Sequence, residues 1–154
     1  MGYLRGMVVR LRTGDARYAG TDDPLFLGVS GGAGGREFPL NVRWFDDAER
    51  RSDVRYALGD VWDEADLVGA KRPLMADASW NDPKLFYVGF EAIDRVYLRK
   101  QGERRPFAED DAYQLDFIEV RLYGDPGARR VFRCTTAIWL GIRYGLQVWL
   151  PEVG

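Results

Sequence analysis

Short apolar segments that alternate with polar residues at a period of two, each closed by glycine, proline or aspartate, constrain this chain more than any other feature. Along Asp116 to Tyr123, the residues Ile118, Val120 and Leu122 share one face while Glu119, Arg121 and Tyr123 share the other. That is the pattern of a strand buried on one side and wet on the other. Leu146, Val148 and Leu150 repeat it near the end. Candidate strands are Met7 to Arg12, Leu25 to Val29, Arg36 to Leu40, Asp53 to Leu58, Ile93 to Lys100, Asp116 to Tyr123, Arg130 to Cys134 and Gly145 to Leu150. Gly31-Gly32-Ala33-Gly34-Gly35 reads as a flexible hairpin loop, and Gly124-Asp125-Pro126-Gly127 as a turn. These segments predict an all-β fold, an eight-stranded antiparallel β-sandwich of two four-stranded sheets. With 154 residues and neither an internal repeat nor a linker, residues 1–154 read as a single domain.

One stretch breaks the pattern. Residues 61–88 contain a segment, Asp63 to Lys71, suited to a helical turn or two, followed by the loop-like Ala78-Ser79-Trp80-Asn81-Asp82-Pro83. This insertion is expected to decorate one edge or end of the sandwich, either as a specificity element or as a cover over an exposed sheet edge.

The first two candidate strands enclose an acidic loop. Val8-Val9-Arg10-Leu11-Arg12-Thr13-Gly14-Asp15 is followed by Ala19-Gly20-Thr21-Asp22-Asp23 and then Leu25-Phe26-Leu27. Carboxylates, a hydroxyl and free carbonyls on a glycine-bearing loop are hard oxygen donors of the kind calcium takes. This motif resembles the opening of PLAT domains, the β-sandwich shared by polycystin, lipoxygenases, several lipases and the clostridial alpha-toxin phospholipase. Ile93 to Arg99, Asp110-Asp111-Ala112-Tyr113, Ile118-Glu119-Val120-Arg121-Leu122, Phe132-Arg133-Cys134 and Trp139-Leu140 are similar to later parts of that domain, in its calcium-binding toxin version.

The resemblance implies a ligand set for one or two calcium ions of modest affinity. Carried over, it comprises Gly20, Thr21 and Asp22, then Asp46, then Asp111 with Ala112; the carbonyls come from Gly20 and Ala112 and the charge from the three aspartates. Two positions depart from the pattern. Tyr18 stands where calcium-binding relatives often have an acidic residue, and Phe45 where they have an amide, which removes two potential ligands. Asp23, Asp47 and Asp110 are adjacent alternatives. The resemblance also implies a module without catalysis, because the catalytic parts of PLAT-containing enzymes usually occupy a separate domain.

Composition narrows the function further. Lys and Arg number 22 against 24 Asp and Glu, a net charge of −2 that lacks the positive excess generic nucleic-acid binding requires. Histidine is absent, which removes imidazole-based triads, His-ligated zinc and imidazole proton shuttles. Carboxylate chemistry of the glycosidase type is the remaining enzymatic option, with Asp63, Glu64, Asp66, Asp77 and Asp82 as candidates. Cys134 is the single cysteine, so no intrachain disulfide forms. No stretch of about 18 apolar residues is present and the N-terminus lacks the apolar run of a signal peptide, so a cytoplasmic protein, peripheral to a membrane at most, is expected.

Aromatic and basic residues flank the acidic loops. Trp44 and Phe45 precede Asp46, and Phe107 follows Arg104 and Arg105. Rings at the loop end would enter a lipid interface while calcium bridges acidic loops to phosphate and the arginines attract anionic headgroups. The sequence reading is therefore a non-catalytic, calcium-binding PLAT-like module for peripheral membrane association. Arg50, Arg51, Arg104 and Arg105 are interleaved with Asp46, Asp47, Glu49, Glu103, Glu109 and Asp110, so calcium must reverse the local sign. Without the metal, protein recognition through the insertion and an outer sheet face is the alternative, and carbohydrate binding on an aromatic platform the third.

Overall fold

A computed structural model describes residues 2–21, 24–32, 34–40, 42, 48–73, 81–102 and 112–154. The alternating segments form ten strands among these residues: β1 (Gly6–Thr13), β2 (Leu25–Gly31), β3 (Gly34–Pro39), β4 (Asp53–Gly59), β5 (Ile93–Lys100), β6 (Tyr113–Tyr123), β7 (Arg129–Cys134), β8 (Ile138–Leu140), β9 (Gln147–Leu150) and β10 (Glu152–Val153). They make two antiparallel sheets. One has six strands in the order β10-β7-β6-β1-β4, with β8 also paired to β6; the other has four in the order β3-β2-β5-β9. The sandwich is as expected, but the count of eight and the two equal sheets are corrected.

The additional strands were illegible for a physical reason. β8 and β10 are three and two residues long, too short to show an alternation, and exist only through their partners. β8 pairs with the first residues of β6, Tyr113 to Leu115, which extend that strand three residues ahead of its apolar pattern. Pro151 separates β9 from β10, and there the chain leaves one sheet for the other: Val148 pairs with Leu98, whereas Val153 pairs with Val131. The Gly124–Gly127 turn forms as expected, with Gly127 at φ 91° and Ala128 donating to the Asp125 carbonyl at 2.7 Å. The glycine hairpin is tighter than a five-residue loop, since Gly31 already pairs with Gly34.

The core lies between the sheets. Met7, Val9 and Leu11 of β1, Ile118, Val120 and Leu122 of β6, and Val54, Tyr56 and Leu58 of β4 face Leu25, Leu27 and Val29 of β2, Val96 and Leu98 of β5, and Val148 and Leu150 of β9. Burial of these side chains stabilises the domain by about 1.5–3 kcal/mol each, before chain entropy is set against it.

The insertion covers rather than extends. Lys71 forms a parallel bridge to Tyr56, its carbonyl accepting from Ala57 and its amide donating to Arg55, so the free edge of β4 is capped. The buried Asn81 donates to the Pro39 carbonyl at 3.0 Å, tying the insertion to the end of β3 in the other sheet. A second small core forms beneath it. Val8, Ala57 and Tyr123, on the outer face of the larger sheet, pack against Val61, Leu67 and Ala70. Tyr123, placed by its period on a wet face, is 0% exposed for this reason. The one-turn helix Glu64–Leu67 matches expectation and is capped by Asp63.

Three of the carboxylates singled out in the insertion, Asp63, Asp66 and Asp82, are engaged in the fold, while Glu64 is exposed. Asp66 is buried and accepts from Arg121 at 2.8 Å and from the Tyr123 hydroxyl. Asp63 caps its turn and pairs with Arg129 at 3.1 Å, and Asp82 caps Pro83–Leu85. Asp77 lies outside the described residues.

Arginines and carboxylates interlock on both outer faces. Arg10 grips Asp53 through two nitrogens, at 3.1 and 2.9 Å, and Arg99 grips Glu37 at 2.7 and 2.9 Å. These guanidiniums hold the Asp53 and Glu37 carboxyls below their ordinary range. Because the folded values are lowered, the stabilisation is present above the ordinary carboxylate pKa and is lost as pH falls through the folded value. Melting temperature is therefore expected to fall as pH drops below about 4.5, with a shallower slope in Glu37→Gln, measurable by thermal circular dichroism across that range.

Candidate functional site

The described residues that flank the loops named by the sequence meet at the end of the sandwich where β1 finishes. Gly14 donates to the Gln114 carbonyl at 2.9 Å, Ala16 to its side-chain Oε1 at 3.2 Å, and Gln114 donates back to the Ala19 carbonyl at 2.8 Å. The loop after β1 is thus stitched to the start of β6, two residues beyond Ala112. A third segment joins them. Thr21 donates to the Ala48 carbonyl at 3.1 Å and Arg51 to the Gly14 carbonyl at 3.2 Å. Gly20 is required here: a Cβ would stand 2.7 Å from the Ala48 carbonyl oxygen and 2.9 Å from the Arg50 amide nitrogen, both backbone.

Three non-glycine residues of these loops, Tyr18, Ala48 and Arg51, adopt positive φ, of 66°, 58° and 63°. Each such residue costs about 1 kcal/mol and persists only where surrounding contacts over-determine it. Behind the loops the core closes with polar groups rather than aliphatic ones. Thr13 Oγ1 lies 2.8 Å from the Tyr113 hydroxyl and 3.1 Å from Ser52 Oγ. Burial pushes the Tyr113 phenol up, so it stays neutral at any physiological pH. Lys100 occupies the inward position after Val96 and Leu98, is 0% exposed, and donates to the Gln101 carbonyl at 3.1 Å.

Asp15 is claimed by arginine. Arg51 and Arg50 both reach its carboxylate, Arg50 at 3.2 Å, and Arg50 also donates to its carbonyl at 2.9 Å. The Arg51 hydrogen bond lowers its pKa first, with the charges of both arginines adding to it.

Of the proposed ligands, Gly20, Thr21 and Ala112 are described; Thr21 is buried, and Gly20 and Ala112 are partly buried. Asp22, Asp46 and Asp111 lie outside the described residues, as do Trp44, Phe45, Arg104, Arg105 and Phe107. Among the described residues no three acidic, histidine or cysteine side chains gather as a metal cluster.

Sequence reasoning passed over the loop between β8 and β9. Ile142 and Tyr144 are 41% and 59% exposed on a turn closed by Gly141 donating to the Gly145 carbonyl at 2.8 Å. A Cβ on Gly102 would lie 2.9 Å from Ile142, which places this turn beside the strand leading into the third loop. Tyr18, read only as a missing ligand, is 75% exposed at the same end, with the Arg17 guanidinium 5.0 Å from its ring. Two large apolar residues between glycines in Gly141-Ile142-Arg143-Tyr144-Gly145 were the available signal.

The architecture can be placed among solved structures. The alpha-toxin of an avian strain of Clostridium perfringens superposes with a TM-score of 0.62 at 18% identity, over 97% of this chain and 32% of that one. The chain has the PLAT fold. The alpha-toxin of Clostridium absonum matches at a TM-score of 0.58 and 16% identity, with the same 97% and 32% coverage. A coral 8R-lipoxygenase, described as calcium-activated through a C2-like domain, matches at a TM-score of 0.58 and 17% identity over 96% of this chain and 17% of that one. The PLAT fold here therefore spans about a third of the toxins and about a sixth of the lipoxygenase. No protein-family model and no curated protein matches the sequence. Among the described residues no helix is long and apolar enough to cross a bilayer.

Proposed function

We propose that this domain is a non-catalytic module that docks reversibly on phospholipid membranes through the loop end, with calcium joining protein to lipid. The observation that carries the reading is the grouping of exposed Tyr18, Ile142 and Tyr144 at the end where Gly20–Thr21 and the Ala112 segment meet. Apolar tips beside basic side chains suit an interface in which rings and aliphatic groups sit among headgroups. Gly20 and Ala112 would offer carbonyls to the ion, Thr21 its loop, and Asp22, Asp46 and Asp111 the charge. The donor set is all oxygen, as a hard cation prefers. Calcium held by these residues would supply positive charge that cancels the local negative charge and attracts phosphate headgroups.

A second reading, protein recognition, draws on Trp149, 56% exposed on the outer face of the four-stranded sheet with Arg95 4.5 Å from its ring. Co-sedimentation with phosphatidylserine vesicles separates the two. The protein is expected in the pellet with millimolar calcium and in the supernatant with chelator. Protein that stays in the supernatant under both conditions rejects the membrane reading and favours the sheet face.

A further inference from the structure

The other end of the sandwich carries an open cleft of about 380 Å³, lined by Arg5, Asp60, Trp62, Arg72 and Pro126 among others. Its size lies within the range of small-molecule sites. We propose that it binds a small ring compound carrying a phosphate group.

Trp62 supplies the platform. The indole is 40% exposed, and Tyr123 holds it edge to face at 5.2 Å and 81°. Tyr123 is 0% exposed and bonded to Asp66, so the ring is braced from within the fold and keeps exposed surface for a ligand to stack on. Two guanidiniums supply the anion site. Arg72 donates one terminal nitrogen to the Gly59 carbonyl at 2.8 Å, and Arg5 pairs through Nε with Asp125 at 2.8 Å. The other nitrogens of both, including the two terminal nitrogens of Arg5, are uncommitted among the described residues. Such donors match the oxygens of a phosphate, and among the described residues Arg72 is paired with a carbonyl rather than a carboxylate. Asp60 lines the same cleft; its Oδ1 accepts from Lys84 at 3.1 Å, and its other oxygen is the acceptor for a ring hydroxyl or amino group.

The location decides the source of the ligand. β1 runs eight residues from Gly6, beside the cleft, to Thr13, beside the acidic loops, a separation of about 25 Å. A membrane engaged by the loop end is out of reach of the cleft. The phosphate is therefore that of a soluble compound.

The test is titration of the full chain with glucose 6-phosphate and adenosine monophosphate, and with glucose and adenosine, by calorimetry and tryptophan fluorescence. Saturable binding is expected for at least one phosphate, weakened about tenfold or more when the phosphate is absent and in Arg72→Gln. Trp62→Phe should abolish the fluorescence change, and an unaltered melting temperature in both variants shows that the fold is intact. No saturation by either phosphate, equal affinity for the neutral counterpart, or unchanged binding in both Arg72→Gln and Arg5→Gln would overturn the proposal. Loss of vesicle binding in Arg72→Gln would overturn the assignment to a soluble ligand.

Discussion

Replacing Asp66 by alanine is expected to lower the melting temperature by about 5 to 12 °C, read by calorimetry at neutral pH. Asp66 sits in the turn Glu64–Leu67, is 8% exposed, and accepts from Arg121 at 2.8 Å and from the Tyr123 hydroxyl, with Arg129 at 3.6 Å. Alanine would leave the buried Tyr123 hydroxyl without its acceptor and strip one partner from Arg121. Together these cost about 2–4 kcal/mol, since unmet buried donors cost about 1–3 kcal/mol and the loss of a charged partner adds to that. The effect extends beyond one contact, because Tyr123 and Leu67 form the small core under the insertion and Trp62 leans on Tyr123. Asp66→Asn retains one acceptor and should lose less than half as much. A change below about 2 °C in Asp66→Ala would show that the insertion is held by its apolar contacts alone.

Replacing both Ile142 and Tyr144 by serine should reduce calcium-dependent binding to phosphatidylserine vesicles by about tenfold or more. Burying a large apolar side chain in an interface yields about 1.5–3 kcal/mol, and 1.4 kcal/mol is a factor of ten. The fold should survive the exchange. The turn is built from backbone bonds, Gly141 to Gly145 at 2.8 Å and Tyr144 to Gly141 at 3.1 Å, and both side chains already face solvent. Tyr87→Ser is the matching control: Tyr87 is 70% exposed and packs on Tyr3, which bridges to Gly89 at the opposite end. Equal loss in Tyr87→Ser would mean that the other end of the sandwich faces the membrane.

The parts of this fold that were legible in the sequence are those set by side-chain period. Ile93–Lys100 is β5 residue for residue, and Met7, Val9 and Leu11 of β1, Ile118, Val120 and Leu122 of β6, and Val148 and Leu150 of β9 face the core in the expected alternation. What could not be read depends on partners distant in sequence. Tyr123 follows the outward parity yet is buried, because a segment some sixty residues earlier folds over it. Asp66 looks like any acid in a polar turn until Arg121 and Tyr123 are placed beside it. At the loop end, Gly20 was read as a carbonyl donor on a flexible loop, and the close approach of Ala48 and Arg50 that requires a glycine there depends on a segment distant in sequence. Tyr18, Ile142 and Tyr144 were not legible either, since an apolar residue in a turn reads the same whether it packs inward or points to solvent.

Calorimetric titration of calcium into chelator-treated protein, alongside Asp22→Ala and Asp111→Ala, tests the central claim most directly. Saturable binding in the unaltered chain, lost in both variants, is the predicted result: the first and third loops would then share an ion, as their stitching through Gln114 suggests. No heat and no rise in melting temperature at millimolar calcium would contradict it, and would leave a PLAT fold whose loop end works without a metal.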